Sequence, residues 1–132
     1  MNRNLKVFGG FFGMTAVIIG AFGAHALAEQ LTPESLKTFE TGVKYQMYHA
    51  LLMIVLGFTA KSGSKLYKVI FFMFILGVFF FSGSIYLLAT NSMNDIDFTK
   101  IGFITPIGGT LLIIGWILVL VSFWSDDKKK MK

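Results

Sequence analysis

The sequence predicts an all-α integral membrane protein, a bundle of four transmembrane helices with a short amphipathic surface helix between the first and second spans. Hydrophobic residues make up 55% of the 132 residues and charged residues only 14%, whereas charged residues form about a quarter of an ordinary soluble domain. Long apolar runs recur four times, and the basic residues are concentrated between alternate runs. Together these features predict one transmembrane domain over residues 1–132.

The four spans follow from the lengths of the apolar runs. A helix needs about 20 mostly apolar residues to cross a hydrocarbon core about 30 Å thick. The predicted spans cover residues of about 5–27, 45–60, 66–90 and 101–124. Pro106 lies in the first turns of the last span, where a proline costs little because the early helical N–H groups have no partner within the helix.

The first span has an alternative interpretation as a removable export signal. Residues 26–28, Ala-Leu-Ala, have the small-x-small spacing of a signal-peptidase site. The apolar core of a signal peptide is about 7–15 residues long, however, and the uncharged run over residues 7–28 is longer. Gly9 and Gly13 also place small residues on one helix face, as packed membrane helices require. We therefore expect the first span to be retained.

The segment between the first two spans carries the signals of a helix start. Thr32 suits the N-cap and Pro33 the first helical position. Leu36, Phe39 and Val43 then recur at helical spacing among charged residues. This pattern predicts a short amphipathic helix on the membrane surface, and the alternative is an ordered loop.

Basic residues predict the orientation of the bundle. Four spans place both termini and the loop around residues 61–68 on one side. Nine basic residues fall there: Arg3, Lys6, Lys61, Lys65, Lys68, Lys128, Lys129, Lys130 and Lys132. The other side carries three: Lys37, Lys44 and Lys100. The positive-inside rule therefore places both termini, and the basic tail over residues 125–132, in the cytoplasm.

Polar residues within the spans form the candidate site. Folding the predicted topology brings eight of them to a similar depth near the outer face: His25, Tyr45, Gln46, His49, Ser82, Ser84, Tyr86 and Thr105. We expect His25 to meet Gln46 and His49. Such residues are costly in a membrane and face the bundle interior. They serve either as interhelical hydrogen bonds or as a pocket for a head group, a small solute or protons.

Catalytic, metal and cofactor chemistry find no support in the sequence. It contains no cysteine, which excludes disulfides and thiolate ligands. The two histidines have no carboxylate beside them within the spans, and no G-x-S-x-G motif is present. Charge between apolar runs reports membrane orientation, so no nucleic-acid partner is expected. We expect no enzyme activity, no catalytic residue, no metal and no cofactor.

The expected function is binding within the membrane. The leading interpretation is a non-enzymatic protein that binds lipid at the outer leaflet or another membrane protein, which includes a second copy of itself. The alternative is a small-solute or proton-coupled transporter. A chain of 132 residues has little interior for a transport path, so a transporter of this kind is expected to be an oligomer.

Five motifs, at least one in each span, resemble the YgdD/YwdK family of small membrane proteins. The motifs cover residues 20–27 (GAFGAHAL), 41–51 (TGVKYQMYHAL), 81–86 (FSGSIY), 105–109 (TPIGG) and 115–116 (GW). The resemblance implies a four-span bundle of unknown function in the bacterial inner membrane, with its first span retained and no established activity, substrate or cofactor. This chain departs from the pattern at Val43 and Lys44.

Overall fold

Four long helices account for most of the chain. The computed structural model describes residues 2–93 and 95–132, and within them it contains no strand. The helices are α1 (Asn2–Phe22), α2 (Pro33–Thr59), α3 (Lys65–Ala89) and α4 (Ile104–Lys130). A π-helical turn, Gly23–Leu27, extends α1, and two short 3₁₀ turns lie between α3 and α4. The predicted all-α, four-helix fold is confirmed.

Three helical segments are long and apolar enough, by length and composition, to cross a membrane. They are Arg3–Leu27, Lys65–Ala89 and Phe98–Lys130. The helix that fails this criterion is α2, because Lys44, Gln46 and His49 interrupt its apolar run. Its position in the bundle therefore has to be judged from its contacts with the neighbouring helices.

The second helix packs antiparallel along α1 over most of the length of α1. Near one end of the pair, a Cβ added at Gly9 would lie 2.8 Å from the carbonyl oxygen of Ala50. Near the other end, a Cβ at Gly23 would lie 2.6 Å from the ring of Phe39. Glycines at these positions let the two helices approach closely. Since α2 returns beside α1, the two helices extend along the same length of the bundle.

The predicted surface helix is the first part of α2 and not a separate element. Its start is confirmed, since Thr32 is the N-cap and its hydroxyl accepts a hydrogen bond from the N–H of Ser35 at 3.1 Å. The helix then continues unbroken from Pro33 to Thr59. Phe39 is buried and packs with Leu31 in an apolar cluster of the protein itself. The apolar stripe that predicted contact with the membrane surface thus contacts α1 and its neighbours.

The third and fourth helices form a second antiparallel hairpin. A Cβ at Gly77 would lie 2.6 Å from Leu112, and one at Gly115 would lie 2.5 Å from the ring of Phe74. The two hairpins are joined mainly through contacts between α2 and α3. Gly63, with φ of +77°, supplies the left-handed residue in the turn between these two helices.

The bundle has two ends, which are named here by their chain segments. The terminal end holds the start of α1, the turn over residues 60–64 and the end of α4. The far end holds residues 28–32, 90–93 and 95–103. At the far end Asp97 caps a 3₁₀ turn, Phe98–Ile101, and hydrogen bonds from the hydroxyl and the N–H of Thr99 lower the pKa of the Asp97 carboxyl.

Two apolar clusters form the core, which also contains buried polar side chains. The larger cluster fills the terminal half and contains Leu5, Met53, Leu56, Ala60, Tyr67, Ile70, Phe71, Phe74, Val78, Leu112 and Val119. The smaller lies at the far end and contains Leu27, Leu31, Phe39 and Ala89. Buried polar residues in the described chain are Gln46, His49, Ser82, Ser84 and Ser122, and His49 packs against Phe74 of the larger cluster.

Candidate functional site

Gln46 connects three helices through its side-chain amide. Its Nε2 donates to the carbonyl oxygen of Phe12 at 2.9 Å and to the hydroxyl of Thr15 at 2.7 Å. Its Oε1 accepts a hydrogen bond from the Tyr86 hydroxyl at 2.7 Å. Both N–H groups and the oxygen of the amide therefore have partners. This buried side chain ties α2 to α1 on one side and to α3 on the other.

His49 connects α2 to α4, and both of its ring nitrogens are engaged. Nδ1 lies 2.6 Å from the carbonyl oxygen of Tyr45, which can only accept, so Nδ1 carries the proton. Nε2 then accepts a hydrogen bond from Nε1–H of Trp116 at 3.1 Å. The ring also packs against Phe74, with centroids 5.4 Å apart. These partners specify a neutral imidazole with one defined tautomer.

The serine and threonine residues of the candidate set connect neighbouring helices. Ser82 donates to the carbonyl oxygen of Gly42 at 2.7 Å, which joins α3 to α2. Ser84 and Thr105 share a hydrogen bond of 2.6 Å, which joins α3 to α4. The helix pairs α1/α2, α2/α3, α2/α4 and α3/α4 thus each have at least one polar contact of this kind. We call the paired side chains of Thr15, Gln46, His49, Ser82, Ser84, Tyr86, Thr105 and Trp116 the polar network.

His25 lies outside this network, and the expectation that it meets Gln46 and His49 is wrong. Its side chain is exposed and has no hydrogen bond within the described chain. The reason is helical rotation, since Gly23 faces Phe39 of α2. A side chain two residues further along a helix points to nearly the opposite face. The π turn that contains both residues therefore directs His25 away from the bundle.

Tyr45 takes part through its backbone and not through its hydroxyl. Its carbonyl oxygen accepts from His49, while its side chain is exposed. The ring lies 5.0 Å from that of Phe81 and 6.0 Å from that of Tyr48. It is an aromatic contact on the surface of the bundle.

The network extends along the bundle axis, so the prediction of one shared depth is also wrong. Ser84 and Thr105 lie towards the far end, whereas His49 is level with Phe74 in the terminal half of α3. Ser84 and Phe74 are about ten residues apart, which is roughly 15 Å along a helix. The predicted depth was counted from a span that starts at residue 45. The helix begins at Pro33, and its first turns already pack along α1.

Two members of the network are absent from the predicted set. Thr15 is the one polar residue in the apolar run over residues 7–24. An isolated polar residue in such a run predicts a position inside the bundle. Trp116 was noticed only as part of the 115–116 motif. Its side chain is 48% exposed, and an indole at a membrane surface ordinarily needs no buried partner. Its hydrogen bond to His49 depends on the rotation of α4, which the sequence does not specify.

The polar network has few side-chain atoms left to bind a metal ion or another ligand. Within the described residues, no group of three or more histidine, cysteine, aspartate or glutamate side chains could hold a metal ion. Gln46 and His49 use all their side-chain nitrogen and oxygen atoms on partners in the protein. Interhelical hydrogen bonds of this kind fix the packing of membrane helices.

Comparison with known proteins finds relatives along most of the chain. A family model described as "Protein of unknown function (DUF423)" matches residues 19–109. The UPF0382 membrane protein YwdK of Bacillus subtilis is 37% identical over 123 residues, which cover 89% of this chain and 96% of YwdK. A UPF0382 membrane protein of Haemophilus influenzae is 38% identical over 113 residues, 86% of this chain and 85% of the relative.

The UPF0382 inner membrane protein YgdD of Escherichia coli is 31% identical over 121 residues, which cover 91% of this chain and 88% of YgdD. No solved structure matches the chain. The family match contains four of the five motifs on which the resemblance was based, and the fifth, residues 115–116, follows it. The resemblance is confirmed, and the chain belongs to the DUF423 family of membrane proteins that includes YwdK and YgdD.

Proposed function

We propose that this membrane protein is not an enzyme and acts by binding another membrane component, lipid or protein, on the exterior of its helix bundle. The observation that carries the proposal is the complete pairing of Gln46 and His49 inside the bundle. Polar groups that are already paired stabilise helix packing and leave little capacity for a ligand. The polar network is then a scaffold that stabilises the helix packing. The membrane-facing and interfacial surfaces of the bundle bind the lipid or protein partner.

The same contacts favour binding over catalysis and transport. A general base needs an unoccupied nitrogen within reach of its substrate, and both His49 nitrogens have partners. A transport path needs polar groups through the whole thickness, but the terminal half is filled by buried apolar side chains such as Leu5, Met53 and Ile70. This packing supports a protein that binds a partner rather than one that transports a solute.

The proposal is tested by purifying the full chain in native-lipid particles and identifying what remains bound. We expect the particles to retain a lipid class enriched over the bulk membrane, or a second membrane protein in fixed stoichiometry. Reconstituted vesicles with an internal pH dye should show no proton flux above that of empty vesicles. A bulk lipid composition with no partner would count against the proposal, and protein-dependent proton or solute flux would favour the transporter instead.

We also propose that both termini face the cytoplasm of the bacterial cell, in the inner membrane. The excess of basic residues at the terminal end supports this orientation, and the return of α2 beside α1 supports four crossings. Because the chain contains no cysteine, single cysteines can report sidedness. We expect a membrane-impermeant maleimide to label Ser92→Cys in intact cells stripped of the outer membrane, and Ser62→Cys only after lysis. The reverse pattern would invert the topology.

A further inference from the structure

A groove opens at the terminal end, where the end of α2, the start of α3 and the end of α4 meet. Its volume is about 700 Å³. Its lining includes three lysines, Lys61, Lys129 and Lys130, together with Tyr67 and Asp126. It belongs to neither the polar network nor the predicted site. Its lining therefore has to be explained separately.

Tyr67 is the unusual member of the lining. Its side chain is only 3% exposed, yet its hydroxyl has no hydrogen-bond partner within the described chain. The other tyrosine of α3, Tyr86, pairs with Gln46. A buried hydroxyl without a partner is costly, and buried polar groups in native proteins are nearly always paired. The groove therefore presents a hydrogen-bond donor whose acceptor is missing from the protein.

The charges around this hydroxyl favour an anion as the missing acceptor. Lys61 pairs with Asp126 at 3.0 Å, which neutralises that carboxylate. Lys129 and Lys130 have no ion pair within the described residues, and Asp127 is the other acidic residue in the lining. Lysine ammonium groups and a tyrosine hydroxyl all donate hydrogen bonds, and phosphate oxygens accept them.

The location of the groove favours a lipid over a dissolved anion. Phe123 lines it, and the neighbouring Trp124 lies under the ammonium group of Lys128, 5.5 Å from the ring centroid. Aromatic and basic residues together are typical of the level at which membrane helices leave the hydrocarbon core. Basic pockets between transmembrane helices at this level bind anionic head groups.

We propose that the terminal-end groove binds the phosphate of an anionic phospholipid, held by Lys61, Lys129, Lys130 and the Tyr67 hydroxyl. The proposal rests on the proposed function in taking the protein as a binder of membrane components, and it names the ligand class and the residues. It also assigns Asp126 a regulating role, because this carboxylate competes with the phosphate for Lys61.

The test measures lipid binding to the purified full chain by native mass spectrometry, with phosphatidylglycerol and phosphatidylcholine of identical acyl chains. We expect phosphatidylglycerol to bind about 100-fold more tightly, because three lysines that each contribute about fivefold multiply to roughly this factor. The triple variant Lys61→Gln/Lys129→Gln/Lys130→Gln should lose most of this preference, since each lysine near an anionic lipid contributes about fivefold. The control Lys37→Gln/Lys44→Gln/Lys100→Gln removes the same charge at the far end and should keep the preference. Equal loss in both triple variants would overturn the proposal.

Two single variants separate a binding role from a structural one. Tyr67→Phe should weaken phosphatidylglycerol binding about fivefold without lowering thermal stability in a maltoside detergent free of phospholipid, because the hydroxyl has no partner in the described protein. Asp126→Asn should strengthen phosphatidylglycerol binding by freeing Lys61. A Tyr67→Phe protein that is destabilised in this phosphate-free detergent, with unchanged phosphatidylglycerol binding, would show that the hydroxyl has a structural role and would overturn the proposal.

A final comparison distinguishes the source of the phosphate and separates this inference from the proposed function. Millimolar inorganic phosphate should not displace phosphatidylglycerol, because the acyl chains add apolar contacts that the free ion lacks. Displacement by phosphate alone would overturn the lipid assignment. If phosphatidylglycerol shows no preference while native-lipid particles retain a protein partner, this inference fails and the proposed function stands.

Discussion

Gly108→Ala is expected to lower the free energy of unfolding of the bundle by about 3 kcal/mol, at the upper end of the usual cost of overpacking. An added Cβ would overlap the backbone nitrogen of Phe81 and lie 2.7 Å from the carbonyl carbon of Phe80. Backbone atoms inside a helix cannot move aside as the end of a flexible side chain can. The α3/α4 hairpin therefore has to separate at this point, which also strains the hydrogen bond between Ser84 and Thr105.

The neighbouring glycine provides the matched control. A Cβ at Gly109 would lie 3.6 Å from the Phe81 ring, an ordinary van der Waals contact. Alanine is favoured over glycine in a helix by about 1 kcal/mol, so Gly109→Ala should be neutral or stabilising. Unfolding of both variants by titration with sodium dodecyl sulfate in detergent micelles checks the contrast. Similar midpoints for the two variants would show that the α3/α4 helices are not in direct backbone contact at Gly108.

Local signals in the sequence are sufficient to predict α1, α3, α4 and the start of α2, but not that α2 continues unbroken from Pro33 to Thr59. The start of α2 is confirmed at the residues that predicted it, since an N-cap threonine followed by proline acts through bonds within a single turn. The spans follow from the hydrophobic thickness of a membrane, which limits the length of apolar runs. Neither signal depends on how the helices pack against one another.

The candidate site could be predicted only in part, because helix rotation and register are not local properties. Gln46 and His49 are interior residues, as polar residues within spans predict. His25 has the same chemistry, but its rotation in the π turn places it on the exterior. Trp116 is the opposite case: it is absent from the predicted set, yet its half-exposed indole donates a hydrogen bond to the buried His49. The position of α2 relative to α1 along the bundle axis determines which residues of the two helices lie at the same depth.

Gln46→Leu is expected to lower the free energy of unfolding by about 2 kcal/mol. Leucine has a similar volume, so the change removes three hydrogen bonds without opening a large cavity. Interhelical hydrogen bonds in membranes contribute about 0.6 kcal/mol each on average, and the part-buried hydroxyl of Tyr86 would also lose its Gln46 acceptor. His25→Ala is the control, because this exposed side chain belongs to the predicted site but lies outside the network. It should change stability by less than about 0.5 kcal/mol.

A double-mutant cycle with Tyr86→Phe shows whether the cost of Gln46→Leu comes from the network. In the wild-type background Tyr86→Phe removes one donor and leaves the Gln46 oxygen unpaired, so it should cost about 1 kcal/mol. In the Gln46→Leu background the hydroxyl keeps only its contact with Ser82, so Tyr86→Phe should cost clearly less than in the wild type or restore stability. Additive costs would mean that the two side chains stabilise the bundle independently. That result would weaken the scaffold role proposed for the polar network, because it would leave the amide oxygen of Gln46 available to a ligand.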